Sequence, residues 1–112
     1  MYEELKEFGL SENEIEIYVA LLKTGVSTAN RISKVTGIKR STTYDNLSIL
    51  MNRGLVSTIM KSGVNFYEST DPKKIIRLID EKRDKISKII PELQSLKELA
   101  VDRSPDSEAD MQ

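Results

Sequence analysis

Between Ser27 and Val56 the chain reads STANRISKVTGIKRSTTYDNLSILMNRGLV, an order of residue types that leaves few folds open. A small polar cap precedes a two-turn periodic segment, and Gly37 stops it. A second segment opens with Lys39-Arg40-Ser41-Thr42-Thr43, and Gly54 stops that in turn. Two short helices joined by a glycine turn are the grammar of a helix-turn-helix, whose second helix presents small polar and basic side chains outward. Little in the rest of the chain competes with this reading. There is no histidine and no cysteine, so the usual metal ligands, the commonest general base and any thiol nucleophile are missing.

At 112 residues one hydrophobic core is expected, not two. An apolar fraction of 38% beside 31% charged residues suits a helix-rich domain with long exposed faces. No apolar run reaches membrane-spanning length, and no charged-then-apolar leader is present, so neither a membrane nor a secreted fate is expected. The lack of cysteine agrees with a reducing cytoplasm, and a cytoplasmic location is expected.

A net charge of −1 looks wrong for a nucleic-acid binder until it is divided along the chain. Residues 1–22 and 101–112 are both acidic, whereas residues 23–64 carry Lys23, Arg31, Lys34, Lys39, Arg40, Arg53 and Lys61 against Asp45 alone. The positive block coincides with the helix-turn-helix pattern, where a phosphate-facing surface needs it.

The glycines fall between periodic segments, as helix stops and turns do. A short first helix holds Leu5 and Phe8. Ser11 opens the next helix with Glu14 three residues on, a capping box, and Ile15, Tyr18, Val19 and Leu22 recur on one face expected to be core. Ser27 or Thr28 caps a helix through Ala29, Ile32 and Val35, and Ile38 plugs the turn after Gly37. In the following helix Tyr44, Leu47, Leu50 and Met51 share the expected core face, while Ser41, Thr42, Asp45, Asn46 and Ile49 point the other way. Such hydroxyls and amides suit direct readout of base edges, Asn pairing with adenine above all. Ser41 to Thr43 equally suit capping of the helix N-terminus, and capping and phosphate binding draw on the same backbone N–H groups. Asp45 either pairs with an arginine or accepts from a cytosine amino group. Ile49 meets a thymine methyl or, by preference, packs under a loop.

Segments 55–59 and 64–68 are rich in β-branched and aromatic residues and meet around Ser62-Gly63, which predicts a hairpin. Behind a helix-turn-helix such a hairpin is a wing, with Lys61, Ser62 and Asn65 as its contacts. Asp71-Pro72 then opens a helical stretch from Lys73 to about Ala100, in which Ile75, Ile79, Ile86, Ile89, Leu93, Leu96 and Ala100 approach a heptad seam. Lys82 interrupts that seam, and Pro91 is expected to kink or restart the helix near Ile90. The stripe outruns the core available to it, which favours a dimerisation helix over one folded back on its own domain. Residues 101–112, polar and acidic, are expected to be disordered.

Taken in order, LSENEIEIYVALLKTG from Leu10, STANRISKVTGI from Ser27, RSTTYDNLSILMNRGLV from Arg40 and FYESTDP from Phe66 resemble the TrmB-type winged-helix regulators, chiefly archaeal, with MarR-type proteins as more distant relatives. The likeness covers about residues 5 to 98. It implies a winged helix-turn-helix that dimerises through a C-terminal helical extension and binds palindromic promoter DNA, with Arg40, Ser41, Thr42 and Thr43 opening the recognition helix and Lys61 to Asn65 forming the wing tip. Many members carry a further sugar-binding domain, for which these 112 residues show no counterpart. Sugar sensing is therefore not expected to transfer, and the effector is unknown.

The expected architecture is mainly α with a small β-hairpin: a winged helix-turn-helix over residues 1–70, a coiled-coil-like dimerisation helix over 71–100 and an acidic tail. The expected function is sequence-specific binding of double-stranded DNA by a homodimer, without cofactor, metal or catalysis. Lys39, Arg40, Ser41, Thr42, Thr43 and Asn46 would face the major groove, and Ser27, Thr28, Arg31, Lys34 and Arg53 the backbone. Ile79, Ile86, Ile89, Leu93 and Leu96 would form the dimer interface. A protein-interaction module built on the same fold is the main rival. Carboxylate hydrolysis through Glu12, Glu14 and Glu16 is the weaker one, since acidic residues in a helix's first turn suit its dipole.

Overall fold

The computed structural model describes residues 2–100; the acidic segment 101–112 lies outside the described residues. Five helices and one hairpin follow in the order α1 (Glu3–Glu7), α2 (Glu12–Thr24), α3 (Ala29–Thr36), α4 (Arg40–Asn52), β1 (Val56–Lys61), β2 (Val64–Ser69) and α5 (Lys74–Ala100). They divide into two compact units, the first ending at Lys74 and the second starting at Ile75.

In the first unit α2 is the hub, packed against α1, α3, α4 and β2. That explains why it buries more than one face. Ile15, Ile17, Tyr18, Val19, Ala20 and Leu21 are all buried, whereas Leu22, expected in the core, is exposed. Ile32 of α3, Leu47 and Leu50 of α4, and Leu55 before β1 complete the core, each fully buried. Side chains of this size contribute roughly 1.5–3 kcal/mol apiece on burial.

Local chemistry sets the helix ends. Ser11 Oγ accepts from the Glu14 N–H at 3.2 Å, and Thr28 Oγ1 accepts from the Arg31 N–H at 3.2 Å. Of the two candidate caps of α3, Thr28 is therefore the one used. Gly37 ends α3 at φ 76°, ψ 6°, its N–H donating to Ser33, a left-handed stop that suits a residue without Cβ. The turn that follows is held by Ser33 Oγ donating to the Ile38 carbonyl at 2.6 Å and by the Ile38 N–H donating to Thr36 Oγ1.

Glu14 does not complete the expected capping box with its side chain. It is buried, and Arg53 Nε stands 3.5 Å from its Oε2. The same guanidinium donates to the Gly9 carbonyl at 2.8 Å. One arginine thereby ties the loop after α1, the first turn of α2 and the end of α4 together.

The hairpin is antiparallel, in register from Val56↔Ser69 to Lys61↔Val64. Ser62 and Gly63 turn it with φ of 53° and 76°, the two positive values that a two-residue type I′ turn requires. Ser27 and Tyr67 exchange backbone hydrogen bonds of 3.0 and 2.7 Å, which fasten β2 to the start of α3.

The second unit is the described part of α5 beyond Lys74. The helix runs unbroken through Pro91, so the expected restart near Ile90 does not occur. A proline inside a helix removes one backbone donor, and here it lies on an exposed stretch where water can serve the freed carbonyl.

Two expected outcomes follow from this packing. The buried Tyr18 hydroxyl has no hydrogen-bond partner among the described residues. Burial first, and the Asp71 carboxylate second, push its ionisation up from 10.0. The folded state therefore holds this proton more tightly than the unfolded chain. That stability is present below about pH 10 and is lost as pH rises through the folded value. Tyr18→Phe is expected to raise stability by about 1 kcal/mol at neutral pH and to shallow the alkaline decline, part of which Tyr67 retains because burial raises its ionisation too. Denaturant unfolding at neutral pH and above about pH 10 measures both; an unchanged alkaline slope would contradict the assignment. Separately, Arg53→Ala strands the buried Glu14 carboxylate and is expected to destabilise by about 3 kcal/mol, with Arg53→Ala/Glu14→Gln recovering part of the loss in the same assay.

Candidate nucleic-acid interface

α4 is seated by Thr43, Leu47 and Leu50, all fully buried, with Asn46 beside them. These positions follow i, i+3, i+4 and i+7, one helical face. Two are polar, and both are satisfied within the helix. Thr43 Oγ1 donates to the Lys39 carbonyl at 2.9 Å, and Asn46 Nδ2 donates to the Thr42 carbonyl at 2.8 Å. A polar side chain bonded to its own preceding turn can be buried without the penalty of an unmade hydrogen bond.

This seating corrects the expected reading face. Thr43 and Asn46 are withdrawn from the surface and cannot reach a base edge as they stand. Tyr44 and Met51, expected in the core, are 44% and 38% exposed. Thr42 is half-buried. Ile49 is exposed and not packed under a loop. The outward face consists of Arg40, Ser41, Tyr44, Asp45, Ser48 and Asn52, with the exposed apolar Ile49 and Met51 at its margins. Tyr44 and Ser48 belong to it although apolar periodicity does not select them; the spacing 41-44-45-48 carries the signal.

The Tyr67 hydroxyl on β2 is pushed up from 10.0 by burial first and then by Tyr44. β1, the first strand of the hairpin, packs against α4.

The basic residues divide into two groups. Lys39, Arg40, Arg31, Lys34 and Lys61 are exposed on α3, the start of α4 and the end of β1. Arg53 is half-buried and engaged by Glu14 and Gly9, so its expected phosphate contact is corrected to a structural one. Ser27 is likewise corrected: it is buried, its Oγ donating to Thr24 Oγ1 at 3.0 Å and to the Gly25 carbonyl at 3.1 Å. Thr28 is half-buried as the α3 cap. Lys61, Ser62 and Asn65 are exposed around the wing turn, next to Met60, which is 71% exposed.

Three carboxylates weighed for hydrolysis go to different surroundings. Glu12 pairs with Lys6 at 3.0 Å, Glu14 meets Arg53, and Glu16 is exposed. Glu12 sits below the usual carboxylate range because Lys6 donates a hydrogen bond to it and carries opposite charge. Among the described residues no group of three or more Asp, Glu, His or Cys is arranged to hold a metal ion, and no helix is long and apolar enough to cross a membrane.

Comparison with known proteins agrees with this geometry. A family model described as "Sugar-specific transcriptional regulator TrmB" matches residues 5–80. The HTH-type sugar sensing transcriptional regulator TrmBL1 of Pyrococcus furiosus is 34% identical over 79 residues, which is 70% of this chain and 23% of that protein. The phenylalanine–tRNA ligase alpha subunit of Metallosphaera sedula is 31% identical over 83 residues, covering 74% of this chain and 16% of that one. Among solved structures, the archaeal chromatin protein TrmBL2 superposes with a TM-score of 0.77 at 26% identity, over 92% of this chain and 42% of its own. A MarR family protein from Bacillus stearothermophilus superposes at 0.58 with 18% identity, over 91% and 81% of the two chains, a likeness of winged-helix fold. The chain thus spans about a quarter of the length of TrmBL1 and less than half of TrmBL2.

The redrawn face makes a stability contrast. Asn46→Ala is expected to lower stability by about 1 kcal/mol through loss of a buried hydrogen bond. Ser41→Ala and Ser48→Ala, on the exposed face, are expected to stay within about 0.5 kcal/mol of the parent. Thermal unfolding of the three variants checks this, and the reverse order would restore Asn46 to the surface.

Proposed function

The chain belongs to the TrmB family of transcriptional regulators, and on that premise we propose that it binds double-stranded DNA as a homodimer at a palindromic promoter site. The observation that carries the reading is the outward face of α4: hydroxyls, a phenol and one carboxylate at Ser41, Tyr44, Asp45 and Ser48, entered through the exposed cations Lys39 and Arg40. That face supplies donors and acceptors for base edges in the major groove, with Asp45 as an acceptor for a cytosine amino group.

Arg31, Lys34, Lys39, Arg40 and Lys61 neutralise phosphates and provide affinity that falls with salt. Ser41, Tyr44 and Ser48 supply discrimination, each mismatched base pair costing roughly 1–3 kcal/mol. The wing, with Lys61, Ser62 and Asn65, lies along the backbone. Two protomers paired through Ile79, Ile86, Ile89, Leu93 and Leu96 set their α4 helices about 34 Å apart, one turn of duplex. Occupancy of the site then blocks or recruits polymerase in the cytoplasm. Sugar sensing, part of the name of TrmBL1, is not carried over.

A second reading keeps the fold and gives up DNA sequence. The exposed Ile59, Met60 and Val64 of the wing suit a protein partner, and a relative 31% identical is a subunit of a tRNA ligase. The deciding experiment is selection of bound fragments from sheared source DNA at near-physiological salt. Enrichment of a few fragments sharing an inverted repeat supports the regulator. Uniform recovery of all fragments points to DNA coating without sequence choice, in the direction of TrmBL2, an archaeal chromatin protein. Recovery of nothing above background sinks both and leaves the protein-interaction module.

On an enriched fragment, Lys39→Ala/Arg40→Ala, which removes two cations from each protomer of the homodimer, is expected to weaken binding and to reduce the slope of log affinity against log salt by about four. Tyr44→Phe and Ser48→Ala are expected to leave that slope unchanged and to relax discrimination at one base pair each. Fluorescence anisotropy across a salt series separates the two behaviours.

A further inference from the structure

Resting on the homodimer reading above, we infer that α5 pairs with the α5 of a second copy in antiparallel orientation, in one register centred between Ser87 and Lys88. The helix shows a seam at Ile75, Ile79, Lys82, Ile86, Ile89, Leu93, Leu96 and Ala100, with spacings alternating four and three. Among the described residues of one chain, none of α5 is buried. Two apolar residues outside that seam, Ile76 and Leu99, are 62% and 68% exposed, more than Ile79, Ile86, Ile89, Leu93 or Leu96 within it. A stable pairing has to accommodate those two as well as Lys82.

Parallel pairing in register sets each seam residue against its own copy, so Lys82 meets the partner's Lys82 across the axis. Flanking residues then meet those five positions on, which sets Leu78 against the partner's Arg83 and Lys85 against the partner's Ile90. Only Glu92 against the partner's Lys97 is complementary. Ile76 and Leu99, at opposite ends, stay uncovered.

Antiparallel pairing about the 87/88 midpoint brings a seam residue to every seam residue. Ile75 meets the partner's Ala100, Ile79 the partner's Leu96, and Ile86 the partner's Ile89. Lys82 meets the partner's Leu93 and can lay its aliphatic stem along that side chain while the ammonium reaches water. On one flank Leu78 meets the partner's Leu99, and Lys85 meets the partner's Glu92. On the other flank Ile76 lies under the partner's Lys97, and Ile90 under the partner's Arg83. By symmetry each contact occurs twice. One register therefore separates the two Lys82 charges, covers both outlying apolar residues and matches Lys85 with Glu92. Pro91 falls on the face opposite the seam, where its missing donor disturbs no contact.

The chain has no cysteine, so introduced thiols report on the geometry. Under mild oxidation, Lys82→Cys mixed with Leu93→Cys is expected to give a disulfide-linked heterodimer, and Lys82→Cys alone no linked species. A linked Lys82→Cys homodimer would overturn the inference in favour of the parallel form. As a second measurement on exposed charges, Lys85→Glu is expected to raise the dimer dissociation constant about tenfold in sedimentation equilibrium, with Lys85→Glu/Glu92→Lys restoring it. No effect of Lys85→Glu, as the parallel form requires, would overturn the inference. A dimer that fails these tests leaves the homodimer reading standing, whereas a parent chain that sediments as a monomer removes both. DNA binding, read by the fragment selection, is scored separately from either.

Discussion

The rotation of α4 about its own axis is the constraint on which the rest of the first unit depends. Leu47 and Leu50 are fully buried where α4 packs against α2 and α3, and at about 100° per residue two seated positions assign every other side chain. Arg40, Ser41, Tyr44, Asp45 and Ser48 face outward because Leu47 and Leu50 face inward. The hairpin follows from the same seat: α4 ends at Asn52, Leu55 drops into the core, and β1 leaves directly behind it. A hairpin directly behind α4 is thus a consequence of the same apolar seat.

That seat is reinforced from the other end of the helix by a charge. Arg53 closes α4, and its side chain turns inward to Glu14 and the Gly9 carbonyl. A buried carboxylate without such a neighbour would be strongly destabilising. The pair also redistributes the basic block. Of the cations from Lys23 to Lys61, Arg53 serves the fold, while Lys23, Arg31, Lys34, Lys39, Arg40 and Lys61 remain at the surface. Net charge alone could not divide them, because a guanidinium is equally basic in either role.

Of the helix-turn-helix, the short helices, the glycine stop at Gly37, the hairpin around Ser62-Gly63 and the long final helix are all readable in the sequence. Each rests on local rules: a cap within three residues, a positive φ where glycine sits, a periodicity of two or 3.6. The exposed face of α4 is only half readable. Apolar periodicity favours a core through Tyr44, Leu47, Leu50 and Met51, whereas the folded helix keeps Leu47 and Leu50 inward and buries Thr43 and Asn46 in place of Tyr44 and Met51. Both polar groups bond to carbonyls in the preceding turn of their own helix, and a hydropathy pattern does not register that kind of self-satisfaction. Ser27 misleads for a related reason: a serine at a helix start resembles a cap, but its neighbour Thr28 takes that role while Ser27 bridges to Tyr67.

By itself the sequence determined the kinds of element, their order and the presence of a seam along α5, because those depend on contacts between residues close in the chain. Tertiary structure decided which side of α4 meets solvent, that Arg53 pairs with the buried Glu14 and that α2 buries several faces at once. Those outcomes depend on pairs such as Arg53 with Gly9, 44 residues apart, and on how many neighbours surround a helix. Neither is written in any local window, since a side chain's partner across the fold is chosen only when the chain closes on itself.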